Sequence, residues 1–213
     1  MNQSSNFEHT LPSQYREVYH LDARKPKVGV IMNLIALCVL GIVLVIAYVP
    51  VARGGLSLMA DIPTSLITYL AFLASMVLYT VLHELVHGVF YKYFTGEKLT
   101  FGMSWSCAFC GVPHIFVYRR AVLFAVAAPL TVFTVLLIPL TIALFFVHPL
   151  CYFASAALFG LHLGGCCGDI YVIFLLLTKY RSRELLVRDT GPEQFFYLPD
   201  NGEKKSQEIG KNG

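Results

Sequence analysis

His83, Glu84 and His87 stand in the order His-Glu-Leu-Val-His, a spacing that suits a hydrolytic metal centre. Two histidines four residues apart share one helix face, so both rings can turn a nitrogen toward one ion. The glutamate that follows the first histidine then lies beside the ion's water, placed to take its proton and hand it to a leaving group. A catalytic zinc centre needs three protein ligands and one open position. The pattern also occurs by chance in unrelated chains, but its surroundings here argue against chance. From Asp61 to Lys92, Glu84 is the only charged residue. Placing such a group at bilayer depth costs about 2.5–3.5 kcal/mol even on the mild insertion scale. Three polar groups on one apolar segment require an offsetting interaction, and a bound metal supplies it.

The third ligand must come from elsewhere, and Asp169 is the leading candidate. It is the only charged residue between Arg120 and Lys179. It lies ten residues before Lys179, while His83 lies nine before Lys92, so two segments running in the same direction hold both groups at nearly one depth. The alternative is a buried acid, protonated or hydrogen-bonded to a neighbour. The preceding Gly164-Gly165-Cys166-Cys167-Gly168 permits close helix approach and a local break that aims the carboxylate. His162, two helical turns before Asp169, is a rival third ligand, a partner of a ligand or an oxyanion donor. A hydrogen-bonded structural histidine is commoner than any of these. Cys166 and Cys167 could bind a soft metal, though packing is the simpler reading.

The elements that must carry these groups are membrane spans. Of 213 residues, 56% are hydrophobic and 14% charged, against roughly a quarter charged in soluble domains. A helix needs about 20 apolar residues to cross a bilayer's hydrocarbon core. Stretches free of charge, or nearly so, predict four spans, at about 28–50, 63–92, 121–147 and 150–178, with a tight turn at His148-Pro149. Pro129 and Pro139 are expected to kink the third span. The fold class is therefore an all-α polytopic membrane protein, with residues 1–27 a polar arm, 28–180 the four-helix domain, and 181–213 a largely disordered tail. Phe195-Phe196-Tyr197 in the tail could touch the membrane surface. The first span starts too late for a cleaved signal peptide, and no repeats occur. Alternating the loops across four spans puts fifteen of the 16 Lys and Arg residues on one side. That side is read as cytoplasmic, so both termini are cytoplasmic and the localisation is the cell membrane. The formal charge of +3 then reflects topology, and no nucleic-acid partner is implied.

Between the second and third spans, Leu99–Trp105 alternates in part and Ile115–Tyr118 is rich in strand formers, with Gly111 and Pro113 between them. A short β-hairpin-like cytoplasmic loop follows. Its edge could present an extended peptide to the metal, or the loop could simply cover the site. Cys107-x-x-Cys110 has redox or zinc spacing but no second pair, and His114 is a poor substitute. Incidental thiols are the better reading in a reducing compartment.

His83-Glu84-Leu-Val-His87-Gly88, the partly β loop, Ala128-Pro129-Leu130 and Gly168-Asp169-Ile170 together resemble the DUF3267 zincin peptidases. These small bacterial membrane proteins are themselves similar to site-2 protease-type intramembrane metalloproteases. The resemblance covers roughly residues 60–180. It implies that His83, His87 and Asp169 hold zinc and that Glu84 is the catalytic base. It departs from site-2 proteases around the aspartate, where a longer Asn/Asp-Pro-Asp-Gly or Leu-Asp-Gly context is usual. The expected function is a zinc-dependent intramembrane endopeptidase acting on membrane proteins or peptides. The alternatives are a non-catalytic metal-binding membrane protein (sensor or scaffold), a metal transporter, or a hydrolase of lipids or prenylated peptides.

Overall fold

The computed structural model describes residues 6–104 and 108–200. Five helices make up its bulk: α1 (Pro26–Arg53), α2 (Ile62–Thr95), α3 (Arg119–Phe145), α4 (Pro149–Gly165) and α5 (Cys167–Thr178). Their ends follow local chemistry. Asp61 caps α2 by accepting the Thr64 backbone N–H at 3.0 Å, and Gly96 closes it with φ +69° and an N–H to the Lys92 carbonyl. At the expected turn, His148 Nδ1 accepts the Leu150 N–H, and Pro149 opens α4 where a missing N–H costs nothing. α3 runs unbroken through Pro129 and Pro139. Helices α1, α2 and α3 are long and apolar enough to cross a membrane, and α4 with α5 forms a fourth such element, bent by 41°.

Side chains such as Ile31, Leu34, Val45, Val77 and Val135 point outward and exposed. A soluble protein rarely shows so continuous an apolar surface, whereas lipid would cover it. α4 is the central packing element, with α1 along one side and α3 and α2 along others. Gly160 and Gly164 make the α1 contact possible. A Cβ on Gly164 would stand 2.8 Å from both Cα and O of Ala36.

The all-α expectation needs correction. The described residues form two sheets. One is a hairpin between the second and third spans, β3 (Thr100–Met103) with β4 (Ala108–Gly111), but the second arm expected for it, Ile115–Tyr118, goes to the other sheet instead. The other has five antiparallel strands in the order β1-β5-β6-β7-β2, where β1 is Phe7–Glu8, β2 Tyr15–Asp22, β5 Phe116–Tyr118, β6 Leu186–Asp189 and β7 Glu193–Pro199. The polar arm and the tail therefore pair with each other through β2 and β7, Tyr15 opposite Pro199 and Asp22 opposite Glu193. Within 186–199 the tail is ordered, and 201–213 lie outside the described residues. Phe196, expected at a membrane surface, is 0% exposed. It joins Val117, Val187, Leu185, Tyr91, Val122 and Leu176 in a core where the sheet meets α2, α3 and α5. Burying these side chains offsets the ordering of the termini, at about 25 cal/mol per Å² of apolar surface.

Candidate metal centre

His83 and His87 lie one helical turn apart on α2, both 8% exposed. Asp169 stands in the first turn of α5, where the helix N-terminus favours a carboxylate. The break at Cys166 between α4 and α5 turns Asp169 toward α2. His83 Nε2 lies 3.3 Å from Asp169 Oδ2, and His87 Nε2 lies 3.5 Å from Asp169 Oδ1. These separations are long for a charge-assisted hydrogen bond, which runs near 2.7–2.9 Å. They match the edge of a zinc tetrahedron, about 3.4 Å for bonds of about 2.1 Å. Asp169 Oδ2 is buried and makes no hydrogen bond, leaving an orphaned acceptor on the His83 side of a carboxylate whose other oxygen faces His87. Two imidazoles and a carboxylate are a donor set that zinc accepts readily. The residues fit the ion.

Each histidine is anchored through its other nitrogen. His87 Nδ1 donates to the Ala125 carbonyl of α3 at 2.9 Å. In a regular helix that carbonyl would accept the N–H of residue 129, but Pro129 has none, so Ala125 is free for His87. Pro129 thus acts on the site from a neighbouring helix. His83 Nδ1 lies 2.9 Å from the Tyr79 hydroxyl, which also lies 3.0 Å from His162 Nδ1. His83, His162 and Cys166 form a second cluster with metal-ligand spacing. There, however, the hydroxyl sits between the rings at hydrogen-bond distances. His162 is 0% exposed and on the far side of His83 from Asp169. Among its proposed roles, this placement favours a partner of a ligand over a third ligand or an oxyanion donor.

Glu84, half-buried, joins His83, His87 and Asp169 in lining a cavity of about 380 Å³. The cavity is walled by α1 (Gly29, Met32, Asn33), by β4 (Phe109, Cys110) and by the turn between β6 and β7. α1 leans on α4 and leaves a cleft facing α2, which gives the cavity its width. Burial pushes the Cys110 thiol up to about 12, so it remains a neutral, poor ligand. Cys107 and Trp105 lie outside the described residues. Cys167 packs on Met32, with its Sγ 3.4 Å from the methionine sulfur.

Asp189, at the rim of this cavity, accepts hydrogen bonds from the Tyr91 hydroxyl at 2.6 Å, the Gly191 N–H at 2.8 Å and Gln194 Nε2 at 3.1 Å. Even so, burial raises its carboxyl to about 6. The sequence reading missed Tyr79, Asp189 and Thr134 of α3, whose Oγ1 lies 3.1 Å from His162 Nε2. For the first a signal existed: Tyr79, His83, His87 and Tyr91 recur every four residues on one face of α2.

Fold and site define a class: a helical protein apolar enough for a membrane, with a candidate metal centre between two of its helices. The family model of DUF3267, "Putative zincin peptidase", matches residues 76–183, just over half of the chain, and the chain belongs to that family. The match takes in α2 from Met76 onward, the hairpin, α3, α4 and α5, and hence every candidate ligand. No curated protein and no solved structure matches the chain.

Proposed function

We propose that the protein is a zinc-dependent endopeptidase that cuts membrane proteins or peptides at a centre within its apolar helices. The observation that carries this reading is the convergence of His83 Nε2, His87 Nε2 and the orphaned Asp169 carboxylate beside Glu84 in one cavity. The three ligands come from two separate helices, so the folded bundle builds the centre. Zinc held there would polarise a peptide carbonyl and lower the pKa of water toward 7. Glu84 accepts the proton of the attacking water as the C–O bond forms, then delivers it to the amide nitrogen as the C–N bond breaks. The cavity wall at β4 offers backbone beside Glu84, where an extended peptide could lie. The topology we propose has four spans, with α4 and α5 as one bent span and both termini cytoplasmic. The pairing of β2 with β7 supports placing the two termini on one side.

The test is Glu84→Gln in the purified, full-length protein. Metal analysis should show zinc retained. Cleavage of fluorogenic peptides with a single apolar span, reconstituted in liposomes, should fall by about 10²–10⁴-fold, the usual range for a lost general base. Stoichiometric zinc in Asp169→Ala would refute the ligand set.

A further inference from the structure

The two nitrogens of His83 face different neighbours. Nε2 points at Asp169 and the candidate metal position, and Nδ1 points at the Tyr79 hydroxyl 2.9 Å away. From that hydroxyl the contacts continue to His162 Nδ1 at 3.0 Å, and from His162 Nε2 to Thr134 Oγ1 at 3.1 Å. Cys166 Sγ stands 3.6 Å from the same His162 nitrogen as the hydroxyl does, a longer and weaker contact. The row crosses from α2 to α4 to α3. His162 is fully buried and lies off the cavity wall, so its partners are protein groups.

Counting protons couples the directions of these bonds. A hydroxyl and a neutral imidazole each carry one donatable proton. When His83 gives its Nε2 lone pair to a cation, its proton sits on Nδ1 and is donated to the Tyr79 oxygen. Tyr79 must then donate its own proton to His162 Nδ1. His162 accordingly carries its proton on Nε2 and donates to Thr134. Each of the three contacts in the row then has one donor and one acceptor. The reverse direction, from Thr134 through His162 and Tyr79 to His83 Nδ1, leaves the His83 proton on Nε2, facing Asp169, where it blocks a cation. The two arrangements hold the same number of protons and differ only in direction.

We infer that Tyr79, His162 and Thr134 are positioning residues for the metal, a hydrogen-bond relay whose direction selects the His83 tautomer able to bind a cation. The inference rests on the zinc reading above and extends it to groups that never touch the ion. Outer partners of metal-bound histidines typically contribute 10–100-fold in affinity. Tyr79→Phe removes the hydroxyl while keeping the ring that packs edge-on against Phe133. His162→Gln interrupts the relay one step further out. Once the hydroxyl is gone the outer groups are disconnected from His83, so the two changes must not be additive.

Full-length protein in detergent is titrated with zinc against a chelator of known affinity, beside melting curves for each variant. Tyr79→Phe should weaken zinc 10–100-fold, and the double variant should weaken it no further. Phe159→Leu, which alters packing on the His162 ring, should lower the melting temperature and leave zinc affinity within twofold. Affinity within twofold of wild type in Tyr79→Phe, or losses that multiply in the double variant, overturns the relay. A Tyr79→Phe protein that does not fold shifts the decision to nitrogen NMR of the zinc-loaded wild type. A proton on Nδ1 of His83 and on Nε2 of His162 supports the relay, and a proton on Nδ1 of His162 overturns it. Wild-type protein that binds no zinc, or His83→Ala that keeps it, overturns the zinc reading and the relay together. Loss of zinc in His83→Ala and Asp169→Ala with unchanged affinity in Tyr79→Phe overturns the relay alone.

Discussion

Replacing Asp189 with asparagine should erase a pH dependence of stability that the wild type carries between about pH 4 and pH 6. Asp189 ends β6, is 3% exposed, and ties the β6–β7 turn to Tyr91 one helical turn beyond His87. Burial outweighs its three hydrogen bonds and raises its carboxyl from 3.8 to about 6. A raised acid binds its proton more tightly when folded. Below about pH 4 both states are protonated and the group contributes no penalty. As pH rises the unfolded chain ionises first, so stability declines until the folded group ionises near 6, and is flat above that. Two pKa units at about 1.36 kcal/mol each make the decline about 3 kcal/mol. At roughly 2–4 °C per kcal/mol for a chain of this length, that is on the order of 5–10 °C in melting temperature. In the Asp189→Asn protein the three donors would face an amide that can accept only through its oxygen, which lowers the whole curve by about 1–3 kcal/mol without adding a slope. The assay is thermal melting of both proteins in one detergent from about pH 4 to pH 8, read as the wild-type-minus-variant difference. Parallel curves, or a wild type that gains stability relative to the variant as pH rises toward 6, would refute the reasoning.

Pro129→Ala restores an N–H that competes with His87 for the Ala125 carbonyl; zinc affinity by chelator competition should fall about 10-fold, while the metal-free protein melts no lower. Phe196→Ala hollows the core between the sheet and the bundle, and should cost about 3–5 kcal/mol in a melting assay. Little change there would return residues 186–199 to the status of a loose tail. Gly164→Val drives a side chain into the backbone of Ala36 and should cost about 1–3 kcal/mol. Because α4 leads directly into Asp169, the same variant should also lose zinc in metal analysis.

The parts of the fold legible in the sequence are those imposed by a solvent. Apolar stretches, the His148-Pro149 turn and the break before Asp169 each follow from local composition, and the helices begin and end close to where those signals lie. The five-stranded sheet was not legible, because its pairings join residues as far apart as Tyr15 and Pro199. No local pattern says which distant strand will supply a partner. One hint lay in Asp189-Thr-Gly-Pro192, a turn between the apolar Leu185-Leu186-Val187 and Phe195-Phe196-Tyr197. Gly191 holds φ +99° there, a conformation that glycine adopts freely. A polar-looking tail had masked a hairpin whose first strand is almost wholly buried.

The candidate ligands were legible for a different reason from the groups that hold them. A carboxylate or imidazole in an apolar segment is conspicuous because hydrocarbon offers it no partner. Tyr79 and Thr134 carry a hydroxyl, which in an apolar segment is far less conspicuous than a charge. A threonine can even satisfy itself on its own helix backbone, as Thr80 does by bonding the Met76 carbonyl. Ala125 shows the limit more sharply, since its contribution is a backbone carbonyl freed by a proline four residues on. That effect is local in sequence at Pro129 but acts on His87, which lies in another helix. A sequence therefore exposes the groups that are costly to bury, whereas the groups that orient them become visible only once the helices are packed.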